Sequence, residues 1–153
     1  MSSQDLLIMY AHVGDKDSVK DVLQDNNNEI PITTIDEAYR IAARGGKADL
    51  VEVLQSRTSK WDDPLRLAVE NGHLDFVRKV CQNLDGENQV RALSRAIRDA
   101  ASFGKPTILL SILDLCSSIP LMAVRSALED AEQRQADYTI VVSILKTARE
   151  RSL

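Results

Sequence analysis

The sequence predicts an all-α protein assembled from repeated helix-turn-helix units. Three observations lead there. The stretch Asp63 to Val77 reads as two short amphipathic helices joined by a glycine turn. The same turn recurs on both sides of it, at Gly14, Gly46, Gly72 and Gly104, with Ala136 in the corresponding place of a last unit. The residues at fixed distances from each turn are of one kind, as a stack of similar hairpins requires, because a lone hairpin cannot bury both its apolar faces.

In the central stretch, Pro64 suits the first helical position, where its missing N–H would be unpaired anyway, and Asp63 before it is the expected N-cap. Leu65, Leu67, Ala68 and Val69 give the first helix an apolar face. Gly72 supplies the left-handed residue that ends it, and Leu74, Phe76, Val77 and Val80 open a second apolar face at helical spacing. The intervals between turns are 32, 26, 32 and 32 residues. Read as units, the repeats span about 3–24, 35–56, 63–83, 91–116 and 120–150, within one domain over 1–153.

Columns carry the packing argument. Three and four residues before the turn stand Tyr10/Ala11, Ala42/Ala43, Ala68/Val69 and Ala100/Ala101, small in three units, so that neighbouring helices can approach. Five residues after it come Val19, Val51, Val77, Leu109 and Val141, with Val22, Leu54, Val80, Ile112 and Ile144 one helical turn on. These are the expected core. Asp17, Asp49, Asp75, Thr107 and Thr139 sit where a second helix starts, complementing its orphan amides and positive dipole end. Ser2 to Asp5 offer N-caps for the first helix, and Glu129 to Gln135 give the last unit a polar closing face.

The run Pro64-Leu65, Ala68, Gly72-His73 and Asp75-x-Val77 resembles the ankyrin repeat, closely in the third unit, well in the second and loosely in the others. The resemblance implies an α-solenoid that binds a protein partner through its first-helix face and its inter-repeat linkers, with no cofactor and no catalysis. The linkers depart from the family pattern. Asp25 to Thr33 is long and polar and closes in a Thr34–Glu37 capping box, Ser56 to Asp63 is short, and Asn83 to Asn88 contains an Asp-Gly turn. None carries the run that shapes the family's β-hairpin finger, so irregular links with little or no β structure are expected. A tetratricopeptide-like or pentatricopeptide-like array, binding peptide or single-stranded RNA, is the alternative; the 26-residue step and the acidic balance weigh against an RNA groove.

Composition narrows the function classes. The net charge is −4, with Lys and Arg dispersed, so nucleic acid is not expected as a partner. No run reaches membrane-spanning length, and Leu6 to Tyr10 is too short for a signal core. Cys81 and Cys116 stand at neither metal nor disulfide-framework spacing and read as small buried hydrophobes, which points to a reducing, cytoplasmic setting. His12 and His73 have no metal-ligand spacing around them, and His73 takes the place of a structural histidine after the turn. Gly45-Gly46 lacks the strand and the Lys-Ser/Thr ending of a phosphate loop. No catalytic, cofactor or metal residue is assigned.

The candidate binding residues are Arg40, Arg44, Trp61, Arg66, Glu70 and Arg98. Arg40, Arg66 and Arg98 stand six residues before their turns, so stacking would line them along the first helices as a ridge suited to carboxylates of an acidic partner. The alternative is that they replace the histidine that ankyrin repeats tie to neighbouring backbone. Trp61, the only tryptophan, is either an interface anchor or a cover for the short link.

Overall fold

In the computed structural model the described residues are all but 26–29, 59, 117, 134–138 and 152–153, and among them the secondary structure is helical, with no strand. Contacts divide the chain, read from sequence as one domain, into two compact units, Met1–Val80 and Cys81–Leu153.

The first unit contains α1 (Ser3–Val13), α2 (Lys16–Asp25), α3 (Ile32–Gly45), a 3-10 turn (Ala48–Leu50) running into α4 (Val51–Gln55), α5 (Asp62–Glu70) and most of α6 (Leu74–Gln82). Helix α1 packs on α2 and α3, and α3 on α4 and α5; α2 packs on the 3-10 turn and α4. The second unit contains α7 (Gly86–Ser102), α8 (Pro106–Leu115), α9 (Leu121–Glu132) and α10 (Thr139–Arg151), with α7 against α8 and α9, and α10 against the same two.

The glycine turns recur in the backbone. Gly14, Gly46, Gly72 and Gly104 have φ of 86°, 68°, 78° and 64°. After α5, the Gly72 amide donates to the Val69 carbonyl at 3.1 Å and the His73 amide to the Ala68 carbonyl at 2.8 Å, the paired bonds that close a helix on a left-handed residue. The Lys47 and Lys105 amides bond Ala42 and Ala100 in the same way. The first two turns are also covered by the next. A Cβ on Gly14 would lie 2.8 Å from Lys47 Cδ, and one on Gly46 would lie 2.6 Å from His73 Nδ1, whereas one on Gly72 would meet nothing within 4 Å.

The expected core columns are buried: Val19, Val51, Val77, Leu109 and Val141, then Val22, Leu54, Val80 and Ile112, with Ala11, Ala42, Ala43, Ala68, Val69, Ala100 and Ala101 from the first helices. Ile144 departs from its column. It is half-buried, and Leu145 beside it points inward instead. Asp17, Asp75 and Thr107 fall in the first turns of α2, α6 and α8, Asp49 in the 3-10 turn, and Thr139 starts α10. Ser2 and Asp5 form a capping box on α1. Glu129, Asp130, Glu132 and Gln133 are exposed.

Three boundaries differ from the sequence reading. Thr34 does not cap α3. The helix starts at Ile32 because Pro31, with φ of −61° and an extended ψ of 145°, already has the N-cap conformation, and its carbonyl accepts from the Thr34 and Ile35 amides. Asp63 is not the cap of α5, which begins at Asp62 after Trp61, so Pro64 stands third; its missing N–H still falls among the unpaired amides of the first turn. Helix α7 begins at Gly86 rather than near 91, because Asp85 is extended and the Leu84 amide closes a tight turn on the Cys81 carbonyl at 3.3 Å. The Ala136 turn and residues 26–29 of the first link lie outside the described residues.

Gly46→Ala should lower the urea midpoint more than Gly72→Ala. Both place a side chain at positive φ, at about 1–2 kcal/mol, but only the first also drives a methyl into His73. Equal losses, or no relief on adding His73→Ala, would count against the covering contact.

Candidate functional site

Of the predicted binding residues, all but Trp61 lie on first helices, and pairing separates these into two sets. On α3, Glu37 holds two arginines: Arg40 Nη2 and Nε donate to its Oε2 at 2.6 and 2.9 Å, and Arg44 Nη1 lies 3.7 Å from its Oε1. On α5, which packs on α3, Arg66 Nη1 pairs with Glu70 Oε2 at 3.4 Å, one helical turn away. The ridge expected at Arg40 and Arg66 is therefore a mixed-charge surface, already neutralised by Glu37 and Glu70. Such partly exposed pairs each stabilise a helix by about 0.2–0.5 kcal/mol.

Arg98 differs. It is exposed on α7, and among the described residues its side chain makes no ion pair or hydrogen bond. Arg91 shares that state, and half-buried Arg95 stands between them. The sequence reading missed Arg91 and Arg95, although their spacing of four and three residues up to Arg98 is itself a helical-face signal.

Buried polar groups fix α3 under its charged face. The Tyr39 hydroxyl, on a fully buried ring 5.9 Å from that of Phe76, donates to Gln55 Oε1 at 2.8 Å, and Gln55 Nε2 donates to the Val80 carbonyl at 3.3 Å. Asp36, only 5% exposed, accepts from the Thr58 hydroxyl and lies 3.7 Å from Lys60 Nζ. This carboxylate ties the short link between α4 and α5 to α3. His73 Nε2 lies 2.9 Å from the Arg44 carbonyl, an oxygen that only accepts, so this nitrogen carries the proton.

Trp61 is not an exposed anchor. It is 9% exposed, beside the Asp36-bound link, and its backbone carbonyl accepts from Leu65 at the start of α5. It stands in the short link, at the N-cap of α5, with its side chain turned inward. Cys81 is buried and Cys116 half-buried, and both are free. Burial, and secondarily the neighbouring Cys116, push the Cys81 thiol up to about 12; burial alone raises that of Cys116, whose Sγ donates to the Ile112 carbonyl at 3.3 Å. A raised thiol is a poor nucleophile at neutral pH.

A groove of about 160 Å³ lies between α8 and α10, floored by Leu110, Leu113, Ile144 and Ala148 and edged by Asp114 and Arg151. Among the described residues no group of three His, Cys, Asp or Glu side chains is arranged to hold a metal, and no helix is long and apolar enough to cross a membrane. No family model, curated protein or solved structure matches the chain.

Trp61 emission should be blue-shifted in the native protein and protected from iodide. A red-shifted, readily quenched signal would overturn its burial. Iodoacetamide at mildly alkaline pH should label native Cys116 more slowly than an ordinary thiol with pKa about 8.5, and Cys81 only after denaturation. Intact-mass kinetics read both rates.

Proposed function

We propose that this chain is a non-enzymatic protein-binding module whose hairpins stack as ankyrin-like repeats, and that it engages a partner through exposed positions of its first helices and the adjoining links. The observation that carries the reading is the recurring turn. The same left-handed glycine closes the first helix at 14, 46, 72 and 104, and within the first unit the residue after one turn packs over the glycine of the turn before. Nearest-neighbour contacts of this kind suit a repeat array, in which each unit completes its predecessor and the outward residues are free to vary.

The first helices support recognition by physical argument. Their buried sides are fixed by small residues and by the Tyr39–Gln55 bond, so their outer side chains are presented on a preformed frame, and binding need not bear the entropy of folding. Raised thiols and internally paired charges favour contact over chemistry, and a reducing cytoplasmic setting fits two free cysteines.

The test is photo-crosslinking in cells. Benzophenone side chains placed at exposed Met9, Arg44 and Arg125 of first helices should form protein adducts, whereas those at exposed Lys20, Glu52 and Lys79 of second helices should form few. Adducts confined to the second set would reverse the proposed face. An absence of protein adducts from every position would reject the binding role.

A further inference from the structure

We propose that the arginine face of α7 docks an extended acidic segment of the protein partner, with Arg91 and Arg98 each taking one carboxylate. This inference rests on the protein-binding reading and names the chemistry of what is bound. Helix α7 buries Ala92, Leu93, Ala96, Ile97, Ala100 and Ala101. Arg91, Arg95 and Arg98 follow at i, i+4 and i+7 on the opposite side.

Pairing singles out this face. Arg40 and Arg44 share Glu37, and Arg66 has Glu70, so an incoming carboxylate there must displace a resident one. At Arg91 and Arg98 no partner among the described residues competes. Both are exposed, and their guanidinium forks are free for bidentate bonds. Arg95, half-buried between them, has an interaction of its own and is not counted in the docking.

Geometry sets the ligand. Seven residues of helix separate Arg91 from Arg98 by about 10.5 Å along the axis. A polyproline-type extended chain returns to the same side every three residues, about 9.3 Å, so carboxylates three residues apart match the two arginines within side-chain reach. The occupant is a short acidic segment rather than a long polyanion. A nucleic-acid strand running beyond α7 would meet a chain of net charge −4, with Glu87 and Asp99 on the same helix.

The experiment measures fluorescence anisotropy of a labelled peptide of about seven residues with two Glu three positions apart and Pro and Ser around them, a composition that favours the extended form. The full chain should bind it, and added salt should weaken binding. R91E/R98E should lower affinity about tenfold or more while keeping its helical circular dichroism, since both positions are exposed; R66E should bind as the parent chain does. Should the reversed pair unfold, R91Q/R98Q carries the same comparison. Unchanged affinity in the folded variant, no binding by the parent chain, or tighter binding of a thymidine oligonucleotide than of the peptide would each overturn the proposal. The two readings fail separately: loss of this site leaves the cell crosslinks from Met9 and Arg44 in place, whereas loss of the protein-binding reading removes them.

Discussion

The turn glycine, held at positive φ and covered by the side chain that follows the next turn, is the constraint on which the first unit depends. Positive φ alone would admit Asn or Asp at modest expense. The covering contact removes that freedom at Gly46, because any Cβ would enter the His73 ring, and the ring is held by its bond to the Arg44 carbonyl. One residue thus ends a helix, aims the next one back and sets how closely the following hairpin approaches. The small residues of α3, Ala42 and Ala43, continue that close approach into the core.

A second constraint comes from the polar groups that α3 buries. A tyrosine hydroxyl or a carboxylate removed from water must find partners, or the fold loses about 1–3 kcal/mol at each. Tyr39 and Asp36 find theirs in Gln55 and Thr58, at the end of α4 and in the link after it. These bonds tie the short link between α4 and α5 to α3.

Much of the helical plan could be read from the chain because it rests on local chemistry repeated several times. The glycines, the alanine pairs and the valine columns each have one physical task, and they perform it at the expected positions. Helix starts were less legible. Thr34 and Asp63 have the right side chains for caps, but backbone geometry at Pro31 and Trp61 decided the matter three and two residues earlier. The arginine column illustrates another limit. Its spacing was visible, yet whether each guanidinium is free depends on carboxylates one helical turn away, Glu37 and Glu70, which spacing from the turn glycine does not register. Trp61 was open between two roles because burial of a lone aromatic in a polar link is decided by the length of the link and by what lies beneath it.

The covering of Gly14 and Gly46 by a residue from the hairpin after each gives the first unit a direction. Gly14 is shielded by Lys47 and Gly46 by His73, so each of these two turns takes its lid from further along the sequence, whereas Gly72 is left uncovered. On a ribosome, which releases the chain from its N-terminus, the first hairpin emerges with its turn bare to solvent and is finished only when the second has followed it out. The first two turns thus gain their cover in the order of synthesis, each from residues translated after it.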